Sequence, residues 1–565
     1  MPQDAYTLRY LCEELNLIFN DGKVNRITQP TNDQVVLTVY TGRRTEKLLL
    51  DVNPSAPRIG VIKAEKDSPL TAPNFCMLLR KHLLSATILG VQLVGFDRIV
   101  KIDFMSSGEF FDGTLKTLYV ELMGRYSNII LTESGKVLGG NRGINMFDDV
   151  VRPLIVGKDY VFPPVGQKKL PNDDNLIQVF DGCDLQKLPE LITENVQGVA
   201  KSTAQEIADK LSKQVNVQNL DGKTIFEFMN GFLYSPNYKP CVLLDNGQVK
   251  DLLVYPYSCF NGVFKEFDSL VLAEDYYFEN KERLKTFNQK KERLNSLVNT
   301  VLKKIKKKLT AIKSKQKDAE ACELNRIKGE LILSNIYKIK QGDKECVLDN
   351  YYDGTTLKVE LNEFISPSKN AEAYYKKYNK QKRTLVALAP QREQCESEQA
   401  YFESIVDEIC LAENIDDLNF IEKELVNAGV VTAQKTGKPK KEQESEYRNY
   451  LFNDFVVKVG RNNIENDRLT FTAKGSDIWV HAKDYHSSHV VIVSNGRQVP
   501  QEVIVFCAEI CAYYSKGREG GKVEIVYTEK RFVKKPSKAK AGFVTYDNFK
   551  SIMVEPNKHE QNLIK

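Results

Sequence analysis

The chain has 565 residues, 80 Lys and Arg against 75 Asp and Glu, and 42% hydrophobic residues. That is enough apolar material for three or four domains of ordinary soluble composition, and a net charge of +5 does not by itself argue for a polyanionic partner. The eleven cysteines stand singly without a CxxC, and no run of about 18 apolar residues or apolar signal core occurs. A zinc ribbon, a disulfide framework and a membrane span are therefore not expected, and a reducing, cytoplasmic setting is.

Residues 1–172 open with an amphipathic helix, MPQDAYTLRYLCEELN, and continue as short strands such as QVVLTVYTG, EKLLLDVNP, DRIVKIDF and NIILTESGKV. Alternation places Leu118, Val120 and Leu122 on a core and turns Tyr119, Glu121 and Met123 away from it. A helix over Asn74 to Leu84 interrupts the strands, so a mixed sandwich or half-barrel is expected. Two polar stretches stand out. In Gly95-Phe96-Asp97-Arg98 the Asp can accept from a base amino group and the Arg can pair with phosphate or stack on a base. Strand neighbours point to opposite faces, so the two meet one ligand only at a turn or bulge; a hairpin ion pair is the plainer reading. In ELMGRYSN, Glu121 to Asn128, a strand ends in a glycine turn carrying Arg125 and Asn128, which ordinary turn chemistry also explains.

Residues 173–268 turn helical. Within them VQGVAKSTAQEI, Val196 to Ile207, has the hxGhxxxxAxxI form of a helix-hairpin-helix. Its glycine turn beside a helix N-terminus suits a backbone phosphate, although such hairpins also serve as scaffolding.

Residues 269–431 read as two long antiparallel helices around a small tip within Asn335 to Ala371. Leu284, Phe287, Leu294, Val298, Val301, Ile305 and Ile312 approach a heptad seam; Tyr375, Tyr378, Leu385, Leu388, Phe402, Ile405 and Ile409 supply the return arm. The first arm, about 40 residues, spans roughly 60 Å. Lys303, Lys304, Lys306, Lys307 and Lys308, then Lys313, Lys315 and Lys317, form either a solvated face or a contact with a polyanion. Residues 432–446 read as a polar linker.

Residues 447–565 are strand-rich with one helix near 500–516, on which Cys507 and Cys511 share a face and are expected to be buried. In DIWVHAKD, Trp479, His481 and Lys483 share a strand face: either a platform for a stacked base beside cationic groups, or a tryptophan capping the core. His481, His486 and His489 lack a carboxylate or cysteine at ligand spacing, so no metal is expected. The segment KRFVKKPSKAK, Lys530 to Lys540, is either a phosphate-binding loop or a surface turn. With no GxxxxGK[ST], GxGxxG after a strand, HExxH or GxSxG, neither a catalytic site nor a cofactor is expected. The fold class is thus α+β multidomain: a strand-rich N-terminal domain, a helix-hairpin-helix, a long antiparallel coiled coil and a strand-rich C-terminal domain.

CMLLRKHL (76–83), FDRIV (96–100), YVELMGRYSNIIL (119–131), GKDYVFPP (157–164), GRNN (460–463), DIWVHAKD (477–484), SHVVI (488–492), VKKP (533–536) and GFVTYD (542–547) follow one another along the chain. In this set the chain resembles, over essentially its whole length, the NFACT family. That family comprises the bacterial RqcH proteins, also called fibronectin-binding protein A-like, and eukaryotic NEMF. The resemblance implies a non-enzymatic factor of ribosome-associated quality control. Such a factor binds an obstructed large (50S) ribosomal subunit carrying peptidyl-tRNA and recruits alanyl-tRNA for alanine tailing without mRNA, while the ribosome forms the peptide bond.

The same resemblance gives residue roles. Asp97 and Arg98 match the family's Asp-Arg motif, which contacts the tRNA anticodon region, with Glu121, Arg125 and Asn128 as a supporting surface. Lys303, Lys304 and Lys307 would meet the ribosome. Arg461, Asn462, Trp479, His481, Lys483, Lys534 and Lys535 are candidate RNA contacts. A small RNA-binding helper protein is a further partner, and the older family name adds fibronectin and a surface-adhesin alternative. His486-Ser487-Ser488-His489 replaces a PGSH that relatives commonly have, and Lys538 and Ala541 stand where they have Gly and Pro. The N-terminal half also resembles formamidopyrimidine-DNA glycosylase, whose chemistry uses an N-terminal proline and a following glutamate; Gln3 cannot replace that glutamate.

Overall fold

The structure, a computed structural model, describes residues 3–564 except 64–67, 70, 109–110, 143–151, 153, 165, 215–218, 235–236, 321, 433–446 and 538. Lys538 and all but the first residue of the expected linker lie outside the described residues. The chain divides into two units, Met1–Arg283 and Leu284–Lys565.

In the first unit, α1 (Ala5–Phe19) begins where the Asp4 carboxylate accepts from Thr7 N at 2.9 Å, and it buries Leu8, Leu11, Leu15 and Phe19 at helical spacing. Four strands precede the next helix: β1 (Lys23–Thr31), β2 (Gln34–Tyr40), β3 (Thr45–Asp51) and β4 (Arg58–Val61). After α2 (Asn74–Leu83) come β5 (Thr87–Leu93), β6 (Ile99–Gly108), β7 (Phe111–Glu121), β8 (Asn128–Glu133) and β9 (Lys136–Gly140). All nine join one antiparallel sheet in the order β4-β3-β2-β1-β5-β6-β7-β8-β9. β1 meets β5 only through Lys23 and Thr87, so the sheet has two halves. Leu37, Leu48 and Leu50 of one half share a single apolar core with Ile102, Leu118 and Val120 of the other.

The same core continues into the helical segment: α3 (Asn175–Phe180), β10 (Cys183–Asp184), α4 (Leu188–Asn195), α5 (Lys201–Gln214), β11 (Asn219–Leu220) and α6 (Gly222–Leu233). A three-stranded sheet follows, of β12 (Cys241–Asp245), β13 (Gln248–Leu253) and β14 (Val263–Glu266). The next helix, α7 (Leu270–Glu320), starts against this core, its first N–H groups, those of Leu270 and Val271, donating to Glu14 at 2.9 and 2.8 Å.

α7 is one helix of 51 residues, about 77 Å at 1.5 Å per residue. In the second unit its Leu294, Val298, Leu302, Ile305, Leu309 and Ile312 pack with Leu388, Cys395, Phe402, Ile405 and Ile409 of α9 (Pro367–Leu411). Between the arms lies a tip made of α8 (Cys322–Ser334) and the hairpin β15 (Glu345–Asn350) and β16 (Thr355–Glu360), with its own small core around Leu331, Leu348 and Val359. α10 (Ile415–Asn427) folds back on the base of the arms, burying Leu418, Ile421 and Leu425.

The C-terminal segment is a six-stranded sheet with two helices. Its elements are β17 (Arg448–Phe452), β18 (Phe455–Val459), α11 (Asn463–Thr472), β19 (Ile478–Ala482), β20 (Val490–Val493), α12 (Gln501–Tyr513), β21 (Val523–Glu529), β22 (Val533–Lys534), β23 (Thr545–Tyr546) and β24 (Lys550–Val554). The sheet runs β17-β18-β20-β19-β21-β24, with β22 and β23 paired apart from it. One face packs on α12, whose Cys507 and Cys511 are fully buried among apolar side chains; the other carries a second core around Trp479, Leu469 and Val533.

Candidate nucleic-acid interface

The Asp-Arg pair sits in the turn between β5 and β6, entered through Gly95 in the left-handed region at φ +59°. Off a regular strand, neighbouring side chains are free of the alternation that would send them to opposite faces. Asp97 is held twice: one carboxylate oxygen accepts from Arg98 N at 2.7 Å and the other from the Gln197 side-chain amide at 2.8 Å. Asp97 and Arg98 line a cleft of about 400 Å³ together with Met123, Lys168, Gln197 and Lys201. Two carboxylates, Asp97 and the buried Asp4, and three cationic side chains thus share a cavity whose far wall is the helix-hairpin-helix.

That wall is built by the turn between α4 and α5. Gly198 has φ +74°, and a Cβ there would lie 2.3 Å from the carbonyl oxygen of Phe96, so only glycine lets this turn back onto the Asp-Arg turn. The phosphate expectation for the hairpin needs a correction, because part of the N-terminus of α5 is already satisfied internally. Asp4, buried, accepts from Ala200 N at 3.0 Å and from the Thr203 hydroxyl at 2.7 Å while capping α1 with its other oxygen. Cationic Lys168 and Lys201 remain on the cleft.

The supporting surface expected at Glu121 to Asn128 divides. Alternation placed Glu121 on an outer face, but its side chain is 1% exposed and lies under the GKDYVFPP segment. Arg152 grips it in two bonds of 3.0 and 2.5 Å, and the Tyr160 hydroxyl donates to it at 2.7 Å. Tyr119 stacks on Tyr160 with centroids 4.0 Å apart. Glu121 is therefore a buried structural anion and no direct RNA contact. Asn128 also works internally, accepting from Ile129 N and Arg142 N at 2.9 and 3.0 Å. Arg125 is exposed, its guanidinium 4.7 Å from the ring centre of exposed Tyr126. Gln3 is buried and pairs in both directions with the backbone of Ile59, at 3.0 and 3.1 Å, which gives it a scaffolding role.

On the coiled coil, Lys303, Lys304 and Lys307 are exposed on α7, as are Lys308, Lys313, Lys315 and Lys317; Lys306 lies 3.6 Å from Glu403 of the return arm.

In the C-terminal segment several candidates prove to be architecture. Asn462 caps α11 by accepting from Glu465 N at 2.9 Å, and Arg461 closes on Glu465 through its backbone and guanidinium at 2.9 to 3.1 Å, over the Phe420 ring at 4.1 Å. Trp479 does share a strand face with His481 and Lys483, but it is fully buried, boxed by His481, His489 and Tyr546 with centroids 5.2 to 5.4 Å away. It is not an open stacking platform. His489 bonds Thr470 at 2.7 Å, and burial pushes His481 and His486 down to about 4, so the imidazoles are held neutral. Among the described residues no group of three or more His, Cys, Asp or Glu is placed to hold a metal ion. Lys483 pairs with Glu524 at 3.0 Å and Lys535 with Asp467, whereas Lys534 is exposed. The reading of the sequence missed Phe543 and Phe549, two exposed rings in the same segment. The signal for them was an aromatic residue every three positions, Phe543, Tyr546 and Phe549, just after the basic run Lys530 to Lys540.

Comparison with known proteins agrees with this layout. The family described as NFACT N-terminal and middle domains matches residues 4–444, and the NFACT protein RNA binding domain matches residues 447–548. The chain is 31% identical over 563 residues to the Rqc2 homolog RqcH of Bacillus subtilis (strain 168), covering 97% of this chain and 96% of that protein. It is 30% identical over 573 residues to the Rqc2 homolog RqcH of Streptococcus suis (strain 05ZYH33), covering the whole of both. Among solved structures, the N-terminal part of the fibronectin/fibrinogen-binding protein from Streptococcus suis is 25% identical with a TM-score of 0.43, covering 49% of this chain and 98% of that one. With one family description spanning most of the sequence and relatives matched from end to end, the chain belongs to the NFACT family.

Proposed function

We propose that this protein is an RNA-binding factor of ribosome-associated quality control. On this reading it binds 50S subunits that carry peptidyl-tRNA and recruits alanyl-tRNA to them, so that the nascent chain is extended with alanine in the cytoplasm without mRNA. Bond formation belongs to the ribosome; the chain's own task is to choose and hold tRNA. The observation that carries the reading is the cleft of Asp97 and Arg98. There a fixed carboxylate acceptor faces Lys168, Lys201 and the Arg98 guanidinium, the mixture that base edges and phosphates of an RNA loop require. Full-length likeness to proteins named Rqc2 homolog RqcH supports the ribosomal assignment. The exposed lysines of α7 supply a polycationic flank along a helix about 77 Å long.

The test is to recover the tagged protein from its own cells through a sucrose gradient and sequence the bound RNA. Comigration with free large subunits and enrichment of alanine tRNA are expected, and Asp97→Ala/Arg98→Ala should abolish the tRNA enrichment. A protein at the top of the gradient without RNA would refute the reading; enrichment of another tRNA would refute the alanine assignment alone.

A further inference from the structure

The buried Trp479 is roofed by a segment that carries open rings of its own. β22 and β23 pair with Val533 opposite Tyr546 and Lys534 opposite Thr545. Directly opposed residues of an antiparallel pair share a face. Val533 and Tyr546 turn onto Trp479, which leaves Lys534 and Thr545 to solvent, and both are exposed. The Phe549 ring meets Tyr546 edge-on with centroids 5.3 Å apart and stays 47% exposed; Phe543 is 58% exposed. Lys550 follows, also exposed.

These rings are held in place without being buried. Gly542 N donates to Asp467 at 2.9 Å, Asp547 N donates to Phe532 O at 3.1 Å, and the Thr528 hydroxyl donates to the carbonyls of Asp547 and Asn548 at 3.1 and 3.0 Å. An exposed phenylalanine adds little to a core, and two of them fixed beside exposed lysines make a surface that is apolar and cationic together. That pairing is complementary to one chemistry above others: unpaired bases strung on phosphates.

We propose that this hairpin, with the turn that leads from it into β24, binds single-stranded RNA, Phe543 and Phe549 stacking on unpaired bases and Lys534 and Lys550 meeting phosphates. The proposal rests on the RNA-binding reading above and adds both the strand state and the residues. Bases inside a duplex are already stacked on one another and present no free π-face to a ring fixed on a hairpin, so the surface discriminates against double-stranded RNA. Trp479 then acts as the floor on which the binding hairpin rests.

The experiment uses the full-length protein and two labelled probes, an unstructured 12-nucleotide RNA and a 12-base-pair RNA duplex, titrated by fluorescence anisotropy over a range of salt. Phe543→Ala/Phe549→Ala is expected to weaken single-strand binding about tenfold or more, with the duplex affinity and the salt slope unchanged. Phe543→Trp/Phe549→Trp is expected to retain binding. Lys534→Ala/Lys550→Ala should reduce the slope of log K against log salt by about 1.4, at roughly 0.7 per phosphate. If the wild type binds RNA and the double phenylalanine variant binds the single strand equally well, the proposal is overturned while the RNA-binding reading stands. A variant that loses single strand and duplex alike overturns it too. A wild type that binds neither probe removes the RNA-binding reading itself.

Discussion

The side-chain amide of Gln197 donates to Asp97 across 2.8 Å, and this bond joins the helix-hairpin-helix turn to the Asp-Arg turn of the sheet. Gln197 is itself fixed, since its backbone N–H donates to Lys169 O at 2.8 Å and the neighbouring Gly198 lies against Phe96. The helical segment thereby sets which way the Asp97 carboxylate points. A hydrogen bond to a charged group contributes about 1.5–3 kcal/mol, and here much of that is orientation of a ligand-facing acceptor. Gln197→Ala should weaken tRNA binding several-fold, less than Asp97→Ala does. Once Asp97 is alanine the second substitution should add nothing, which a double-mutant cycle of filter-binding affinities reads directly.

Asp4 should matter for folding and little for RNA. Its one carboxylate caps α1 through Thr7 N and ties down α5 through Ala200 N and the Thr203 hydroxyl. Removing an N-cap costs about 0.5–2 kcal/mol, so Asp4→Ala, which removes two, should lower the stability of the N-terminal unit by about 2–3 kcal/mol in urea unfolding. Asp4→Asn should recover part of the loss, because it keeps the acceptor oxygen that caps α1.

Glu121 and Arg125, four residues apart, should separate stability from binding. Glu121→Ala leaves Arg152 buried without its anion, a defect of about 3–5 kcal/mol, so a large fall in melting temperature is expected. Arg125→Ala removes an exposed cation and should leave the melting temperature unchanged while weakening RNA binding. A Glu121→Ala protein that melts like wild type would show that the Arg152 clamp contributes nothing.

These two residues also mark what the sequence could tell. The alternation that turned Leu118, Val120 and Leu122 inward is correct, and each is 0 or 1% exposed. It also sent Glu121 outward, and the strand does; what covers it is Arg152 and Tyr160, some 30 to 40 residues later, and no local pattern announces a lid supplied from elsewhere in the chain. Trp479 fails in the same way: its face was legible from period two, its roof from Val533 to Tyr546 was not. The coiled-coil seam was legible because apolar residues repeat at three and four along α7: Leu294, Val298, Ile305 and Ile312 lie in it as expected, and Leu302 and Leu309 join them. Asn462 was misread although its signal was local. An Asn followed three residues later by Glu465 is the mark of a helix start, and that simple cap accounts for it better than an RNA contact.

The base of the coiled coil and the C-terminal sheet meet at buried ionisable groups whose protons should govern stability. Glu408 of α9 is buried with Glu424 of α10 beside it, and desolvation together with that second carboxylate holds its pKa well above the ordinary value. His486 Nε2 lies 4.0 Å from Glu408, with Lys516 on its other side, and burial lowers this imidazole to about 4. The signs are opposite. For the histidine the unfolded chain binds the proton more readily, near pH 6.5, so its contribution is complete above that pH and is lost as pH falls towards 4. His481, also near 4, adds to the same loss. For Glu408 the folded state binds the proton more readily, so stability declines as pH rises above the unfolded value of about 4.3. Glu408→Gln removes only the second effect. It should raise the melting temperature at pH 8, where the buried carboxyl costs most, and the gain should shrink to nothing near pH 4.5. The histidine-driven loss below pH 6.5 should persist and steepen, because the carboxyl no longer offsets it. A calorimetric series from pH 4.5 to 8 checks this, and a Glu408→Gln protein whose advantage grew on acidification would show the carboxylate to be ionised and stabilising in the fold.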